Sequence, residues 1–234
     1  VSAGAGFETV TLARLKITPC HSCGTCNSPD HFLRCIFEEK DDVAAIFSKM
    51  AAADLLVFAT PIYIFTMTAL MKIFLERMYA RADVFDLSVT QSGLVFHHVD
   101  RDLNSKPFAV LVCCDNIEKE TPKNVVSYFR THAKFNDAEQ VGLLVRNAGR
   151  YAGHGGDPEA ARSNPLLAQV YEAFERAGKE LATQGRIRKA TEKEAAANII
   201  PMPPIFKLLR RFRFFKEKMV HKAMETMKYT EGAV

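Results

Sequence analysis

The sequence predicts a doubly wound α/β domain, in which helices cover both faces of a parallel β-sheet. Continuous apolar runs at 55–59, 108–113 and 140–145 are typical of strands that are buried on both faces. Helical patterns of apolar residues separate these runs, and an alternation of strands with helices favours parallel pairing. With 234 residues, the chain is long enough to bury a sizeable core.

The elements are predicted in a regular order along the chain. Residues 7–15, rich in β-branched and apolar side chains, are expected to form a short first strand. Asp41 and Asp42 precede a helical pattern that runs to Ala53, and carboxylates at that position are common helix N-caps. The later elements are the strand 55–59, a helix 68–81, a loop of about two dozen residues, the strand 108–113, a helix 121–134, the strand 140–145 and a helix 164–184 capped by Asn164.

The positive charge is concentrated near the end of the chain. The whole chain carries +4, whereas residues 201–228 alone hold eight Lys or Arg and two Glu, so the remainder is slightly acidic. A body with that balance offers no clustered positive face, which argues against nucleic-acid binding. Residues 187–234 are interpreted as a linker followed by a basic amphipathic helical tail. Its segment 204–228 is expected either to lie on an anionic membrane surface or to pack over a neighbouring subunit.

The sequence shows no targeting or membrane-spanning segment. It contains no run of about 18 apolar residues, and its first residues lack the basic and apolar regions of a secretory signal. Four of the six cysteines fall between residues 20 and 35, whereas a secreted chain spreads its cysteines to close loops. The clustering therefore predicts a reducing, cytoplasmic location and a metal or redox site.

The cysteine cluster has the spacing C-x2-C-x2-C-x8-C, formed by Cys20, Cys23, Cys26 and Cys35. Three thiolates at two-residue intervals allow a tight loop to hold three corners of a cubane iron–sulfur cluster, and Cys35 would supply the fourth corner. One 4Fe-4S cluster with these four ligands is therefore predicted. A zinc ion, which more often uses two separated pairs of ligands, or four free thiols remain as alternatives.

Other potential ligands lie close to this loop or at the end of a strand. His21 and His31 lie in the cysteine loop and are expected beside the metal site rather than among its ligands. Cys113 and Cys114 end the strand 108–113, and because neighbouring strand residues point to opposite faces, no disulfide is expected between them. The carboxyl end of a strand is where ligands bind in such sheets, which places Cys114 at a binding edge.

The region that follows the cysteine loop carries a specific pattern. After Asp41-Asp42 it contains Ala53-Asp54, then Pro61-Ile62-Tyr63, and then Lys72, Phe74 and Glu76-Arg77. In this order, behind the cysteine motif, the pattern resembles the flavodoxin-like NAD(P)H-dependent FMN reductases, and in particular their iron–sulfur flavoprotein branch. The resemblance covers residues 7–185 and is most specific in 20–81.

The resemblance implies a flavodoxin-like fold with FMN bound at the carboxyl edge of the sheet. Lys72 and Arg77 are interpreted as helix-surface or interface residues rather than as flavin ligands. The implied flavin-binding residues lie in two loops: Thr60, Pro61, Ile62, Tyr63, Ile64 and Phe65 in the first, and Cys114, Asp115 and Asn116 in the second.

The sequence departs from the family in one respect. The family's phosphate loop, a Gly- and Ser-rich turn after the first strand, is not found before residue 7. In the family, the backbone N–H groups of that loop and the helix N-terminus behind it would hold the FMN phosphate. Residues 1–186 are therefore expected to be a flavodoxin-like FMN-binding domain that lacks its first strand and phosphate loop.

The residues and the resemblance together predict an iron–sulfur flavoprotein oxidoreductase. FMN and the 4Fe-4S cluster would move electrons from NAD(P)H or ferredoxin to a quinone, an oxygen species or another carrier. The resemblance also implies a homodimer or homotetramer, and no catalytic acid or base is assigned. Two alternatives stay open: an FMN-only reductase with zinc or free thiols in the loop, and a non-catalytic, metal-stabilised interaction module.

Overall fold

Helices and strands alternate along the chain, of which the computed structural model describes residues 3–153, 164–199, 212–218 and 221. The strands are β1 (Leu56–Tyr63), β2 (Thr66–Met67), β3 (Ala82–Val89), β4 (Val95–Val99), β5 (Phe108–Cys113) and β6 (Gln140–Arg146). The α-helices are α1 (Val43–Ala52), α2 (Ala69–Arg77), α3 (Arg101–Asn104), α4 (Lys123–Phe135), α5 (Gly149–Gly153), α6 (Pro165–Gln184) and α7 (Lys189–Ala195). The short 3-10 helices are Leu12–Arg14, Thr25–Asn27, Pro29–His31 and Met78–Arg81.

A largely parallel sheet forms the centre of the fold. Its strand order is β2-β1-β5-β6, in which β1, β5 and β6 are parallel and the short β2 is antiparallel to β1. Leu56 aligns with Phe108, and Pro61 aligns with Cys113, so β1 and β5 end at the same edge of the sheet. The three strands predicted from apolar runs are all present, and the predicted flavodoxin-like α/β fold is confirmed.

Helices pack on both faces of this sheet because alternate residues of β5 point to opposite sides. Phe108, Val110 and Val112 belong to a first core, to which α1, α2 and α4 also contribute. Ala109 belongs to a second core, together with residues of α6 and α7. Each face of β5 is therefore covered by helices, as the sequence predicts.

Polar caps begin two of the helices where the sequence predicts them. At the start of α2, Thr68 Oγ1 accepts a hydrogen bond from the Met71 amide at 3.3 Å. At the start of α6, Asn164 Oδ1 accepts from the amides of Leu166 and Leu167 at 3.2 and 3.3 Å. These bonds satisfy amides that have no acceptor inside the helix, which fixes the residue at which each helix begins.

The structure differs from the prediction in two segments. Residues 7–15 form no strand. Val10 and Leu12 pack against the first core, but this segment does not pair with any strand of the sheet. Residues 82–99 were expected within a loop, but β3 and β4 form an antiparallel hairpin there. Gly93, with a φ of 74°, lies in the turn of that hairpin. The hairpin exposes more than 60% of each of four apolar side chains: Phe85, Leu87, Val89 and Val95.

The outer edge of β1 is open over most of its length. Strand β2 pairs only with Ile62 and Tyr63, and no other described residue pairs with this edge. Val57 and Ala59 are exposed, and they point to the face on which α6 covers β5. An open strand edge of this kind can accept a further strand.

The first compact unit of the chain runs through Ile199, and residues Ile200–Val234 form a second unit. Ile187 and Ala195 are buried in the second core, so α7 belongs to the first unit, whereas the sequence placed 187–199 with the tail. The predicted amphipathic helix over 204–228 lies largely outside the described residues, of which 213–218 are helical. Within the described parts of the chain, no helix is both long and apolar enough to cross a bilayer.

Candidate functional site

The structure brings all four clustered cysteines to one cavity. Cys20, Cys23, Cys26 and Cys35 line a cavity with about 370 Å³ of empty space, counting its open mouth. Cys26 is buried, Cys20 and Cys35 are half-buried, and Cys23 is exposed. The thiols therefore form a single site that can be reached from solvent.

The cysteine loop folds tightly because three of its residues adopt left-handed backbone conformations. Ser22 and Gly24 have φ angles of 53° and 70°, and the 3-10 helix Thr25–Asn27 follows directly. Leu33, with a φ of 58°, donates from its amide to the Cys26 carbonyl at 2.9 Å. This bond joins the part of the loop that carries the cysteine triplet to the part that leads to Cys35.

The thiols differ in their electrostatic surroundings. A hydrogen bond from Thr25 Oγ1 to Cys23 Sγ at 3.3 Å lowers the pKa of Cys23, and a second bond from the Thr25 backbone adds to the effect. Burial raises the pKa of Cys26, and the neighbouring thiols of Cys35, Cys20 and Cys23 raise it further when they are ionised. Four thiolates in this cavity therefore repel one another, and a cation at the site would relieve that repulsion.

The thiols of this cavity are the candidate ligands for a metal ion or for a cluster. In residues 3–153, 164–199 and 212–218, no three His, Cys, Asp or Glu side chains are grouped as ligands of one metal ion. A tetrahedral zinc ion brings its sulfur ligands to about 3.8 Å from one another. A cubane cluster instead takes one thiolate at each of four separated corners. Four thiols that line one cavity can supply the ligands of either group.

A buried ion pair holds the first part of the cysteine loop against α2. Arg77 Nη1 donates to Asp41 Oδ2 at 2.5 Å and to the Thr18 carbonyl at 2.8 Å, and the side chains of Arg77 and Asp41 are 1% and 0% exposed. Asp41 Oδ2 also accepts from the Thr18 amide at 2.9 Å, and Oδ1 accepts from the Val43 amide at 3.2 Å. Burial alone would raise the pKa of Asp41, but these hydrogen bonds together lower it.

A second arginine holds the other part of the loop. Arg81 Nη1 donates to the Leu33 carbonyl and Nη2 to Glu38 Oε1, both at 2.7 Å. Glu38 Oε1 in turn accepts from the Cys35 amide at 3.3 Å. Arg81 lies four residues after Arg77, so α2 and the 3-10 turn behind it support the cysteine loop at two places.

Sequence reasoning missed these arginines. Lys72 is exposed and pairs with Glu76, as a surface residue should, but the expectation that Arg77 lies on a helix surface or at an interface is wrong. The motif Glu76-Arg77 drew attention to Arg77, but it did not show that the partner of Arg77 is Asp41, 36 positions earlier in the chain. A partner at that separation produces no local pattern of spacing.

The first predicted flavin-binding segment forms a hairpin at the carboxyl edge of the sheet. Thr60 to Tyr63 belong to β1, which continues past its expected end at residue 59, and a two-residue turn at Ile64 and Phe65 leads into β2. Both turn residues have positive φ angles, 48° and 65°, a geometry that favours Asn and Gly and strains a β-branched residue. The tip exposes three apolar side chains by 64%, 88% and 61% respectively: Tyr63, Ile64 and Phe65.

Polar contacts hold this hairpin in place. Thr60 Oγ1 accepts from the Thr68 amide at 3.2 Å and donates to the Pro61 carbonyl at 2.9 Å. Asn124 Nδ2, near the start of α4, donates to the Phe65 carbonyl at 3.2 Å. The apolar tip is therefore supported at its base and at its turn, although its side chains face solvent.

The second predicted flavin-binding segment lies beside the first. Cys113 is the register partner of Pro61, so Cys114, Asp115 and Asn116 leave the sheet next to the hairpin. Asp115 and Asn116 are exposed, whereas Cys114 is 5% exposed. Burial, together with the nearby Cys113 and Asp115, raises the pKa of Cys114, which keeps its thiol neutral.

The loop behind Cys114 is locked against the end of β6. Asn147 Nδ2 donates to the Asn116 carbonyl at 2.9 Å and to Cys114 Sγ at 3.3 Å, and the Gly149 amide donates to the Cys114 carbonyl at 2.9 Å. A Cβ atom at Gly149 would lie 2.5 Å from Cys113 Sγ, so this close approach requires glycine. The carboxyl edge therefore presents two adjacent, well-supported segments with an apolar tip and exposed polar groups.

Comparison with known proteins shows the family of the chain. Residues 1–122 match the family described as NADPH-dependent FMN reductase. An iron–sulfur flavoprotein of Archaeoglobus fulgidus is 26% identical over 174 residues, which are 74% of this chain and 68% of that protein. An iron–sulfur flavoprotein of Methanosarcina thermophila is 34% identical over 79 residues, which are 33% of this chain and 39% of that protein.

Among solved structures, the Trp repressor binding protein from Bacillus subtilis matches with a TM-score of 0.35 and 20% identity, over 45% of this chain and 58% of that one. The parallel sheet and its carboxyl edge define a flavodoxin-like α/β fold. The family match is more specific and covers over half of the sequence. The chain belongs to the NADPH-dependent FMN reductase family, whose members are NAD(P)H-dependent flavin oxidoreductases.

Proposed function

We propose that this chain is an iron–sulfur flavoprotein, in which Cys20, Cys23, Cys26 and Cys35 hold a 4Fe-4S cluster and FMN binds at the carboxyl edge of the sheet. The observation that carries the proposal is the convergence of the four thiols on one cavity. The names of the two curated relatives support the same assignment. When bound, FMN would exchange electrons singly or in pairs and the cluster would exchange them singly, so the two together connect two-electron and one-electron carriers.

The residues of the carboxyl edge fit a flat aromatic cofactor. The tip at 63–65 offers exposed apolar surface against which an isoalloxazine ring can pack, and burying that surface is favourable. Thr60, Pro61 and Ile62 place the backbone of β1 along the same edge. Asp115 and Asn116 add polar groups from the neighbouring segment, which would orient the ring system.

The donor and acceptor follow from the class of protein. NAD(P)H or reduced ferredoxin would deliver electrons, and a quinone, an oxygen species or another carrier would receive them. The exposed apolar tip at 63–65 and the apolar β3–β4 hairpin are surfaces that a homodimer or homotetramer would cover. The clustered free thiols suit a reducing compartment, which supports a cytoplasmic location.

The proposal is tested by loading the protein with its cofactors under anaerobic conditions. Full-length protein is incubated with iron, sulfide and FMN, desalted, and assayed for iron, acid-labile sulfide and its visible spectrum. Flavin bands with a broad shoulder near the cluster's absorption and about four iron atoms per chain are expected. Adding NADPH or reduced ferredoxin to the loaded protein would then bleach the flavin band.

Two cysteine variants provide the matched comparison. Cys35 and Cys113 are both half-buried free thiols, but only Cys35 lines the cysteine cavity. The Cys35→Ser variant is expected to lose most of its iron, and the Cys113→Ser variant to keep it. Flavin without iron in the unmodified protein would indicate an FMN-only reductase, and a colourless protein would leave a non-catalytic interaction module.

A further inference from the structure

Arg77 carries N–H groups that have no partner in a buried position. Its Nη1 donates both of its hydrogens, to Asp41 and to the Thr18 carbonyl. Its Nε and Nη2 atoms are shielded from solvent, and within the described residues neither has a hydrogen-bond acceptor. A guanidinium has five N–H bonds, so three of them point to no acceptor. Buried donors without acceptors are rare in folded proteins because they lose their hydration without replacement.

The position of Arg77 connects these free donors with the cysteines. Arg77 lines the cavity formed by the four thiols, and among the described residues that line it no other is a Lys or Arg. Its guanidinium carbon lies 5.6 Å from the centre of the Phe37 ring, and Phe37 is another wall residue. Asp41 and Thr18 occupy one side of the guanidinium, so the orientation of its remaining N–H groups is fixed.

We infer that Arg77 donates its free N–H groups to the anionic sulfur atoms of the group that the four cysteines hold, and thereby stabilises its reduced form. This inference rests on the proposed function, because it requires a 4Fe-4S cluster in the cavity. Reduction by one electron adds a negative charge to the cluster. A fixed cation and hydrogen bonds to sulfur favour that more negative state, and they are established determinants of cluster potentials.

The same reasoning gives Arg77 two separate functions. Nη1 ties the cysteine loop to the buried Asp41, which is a structural contact. Nε and Nη2 have no structural partner among the described residues and are the groups assigned to the cluster. The ion pair of Lys72 with Glu76 is exposed on α2 and neither residue lines the cavity, so its removal is the matched control for removing the pair of Arg77 with Asp41.

The first test measures the midpoint potential of the reconstituted cluster in variants of full-length protein. Arg77→Gln is combined with Asp41→Asn, so that no buried charge is left unpaired and the net charge of the chain is unchanged. Losing a hydrogen bond from a charged donor changes an equilibrium about tenfold or more. We therefore expect the potential of the double variant to fall by at least about 59 mV, the equivalent of tenfold for one electron. Arg77→Lys, which keeps the charge, should shift it less, and the double variant Lys72→Gln and Glu76→Gln, which removes an exposed ion pair of the same helix, should leave it at the value of the unmodified protein.

The second test starts from unmodified protein and so does not depend on whether the double variant of Arg77 and Asp41 folds. Unmodified protein is prepared with ¹⁵N-labelled arginine, its cluster is reduced, and pulsed EPR is used to detect coupling between the cluster spin and arginine nitrogen. We expect a coupling that persists in Arg81→Lys and disappears in Arg77→Lys. A cluster-loaded protein without that coupling, or a double variant of Arg77 and Asp41 with unchanged potential, would refute the role assigned to Arg77 but not the proposed function. Unmodified protein that takes up no iron would instead refute the proposed function, and the inference with it.

Discussion

Replacing Asp41 by Asn is expected to destabilise the protein far more than the same change at its neighbour Asp42. Both carboxylates accept backbone hydrogen bonds, but only Asp41 also pairs with a buried arginine. Neutralising it leaves the Arg77 guanidinium, 1% exposed, as an uncompensated buried charge. Breaking a buried pair in this way costs about 3–5 kcal/mol in the free energy of unfolding. Because both side chains are fully buried, solvent screening does not reduce that figure.

Asp42 provides the matched control for this measurement. Its Oδ2 accepts from the Lys16 amide at 2.7 Å in an exposed setting, so Asp42→Asn should cost no more than about 1 kcal/mol. Urea unfolding of both variants, in reducing buffer and without cofactors, gives the two free energies directly. Adding Arg77→Gln to Asp41→Asn should restore part of the loss, because it removes the unpaired charge. Equal losses at Asp41 and Asp42 would show that the pair does not anchor the loop.

The pH dependence of the same group has a definite sign. The pKa of Asp41 is lower in the folded than in the unfolded chain, because its hydrogen bonds outweigh the effect of burial. Its contribution to stability is therefore complete above the unfolded value of about 3.9 and is lost as the pH falls through the folded value. The difference in stability between the unmodified protein and Asp41→Asn should accordingly shrink below about pH 4. A difference that stays constant down to pH 2 would contradict this reasoning.

Three further predictions concern other parts of the fold. Gly149→Ala should cost about 1–3 kcal/mol in urea unfolding because its Cβ would meet Cys113 Sγ, whereas Gly178→Ala, which meets nothing within 4 Å, should stabilise α6 by up to about 1 kcal/mol. Burial lowers the pKa of His132 to about 4, so between pH 6.5 and 4 the unfolded chain takes up a proton that the folded chain does not. The free energy of unfolding should therefore fall by up to about 3 kcal/mol over that range, and it should fall less in His132→Phe. Replacing residues 64–65 by Asn-Gly should raise the melting temperature, since both φ angles are positive, yet weaken FMN binding in a fluorescence titration.

The regular elements could be predicted because their determinants are local. The apolar runs that became β1, β5 and β6 are each continuous, and the cap residues Thr68 and Asn164 stand next to the helices they begin. The hairpin of β3 and β4 was missed although Phe85, Leu87 and Val89 alternate with other residues as in a strand. These three side chains are exposed, so the hairpin lacks the continuous apolar run that marks the buried strands. Residues 7–15 have strand-like composition but find no strand partner, and composition alone cannot supply one.

In the candidate site, too, the local features could be predicted from the sequence and the long-range contacts could not. The spacing of Cys20, Cys23 and Cys26 is local, so the sequence could indicate that they share one site. The support for that site is not local, because Arg77 meets Asp41 across 36 residues and Arg81 meets Glu38 across 43. The Asp41-Asp42 pair could be recognised as a helix start, and Asp41 does accept from the first amide of α1. Its larger contribution to stability comes from the ion pair with the buried Arg77, and only the folded chain brings these two residues together.

Two features that are unfavourable for stability lie at the segments assigned to cofactors. The hairpin tip places an exposed isoleucine and phenylalanine at positive φ angles, where Asn and Gly would be unstrained. The cysteine cavity contains a buried guanidinium with two nitrogens that lack acceptors. Local strain and unsatisfied donors persist where a bound group compensates them, and they cluster at functional sites. FMN would cover the apolar side chains of the tip and the sulfur atoms of a cluster would accept from Arg77, so the binding of each cofactor would offset part of the cost at its own site.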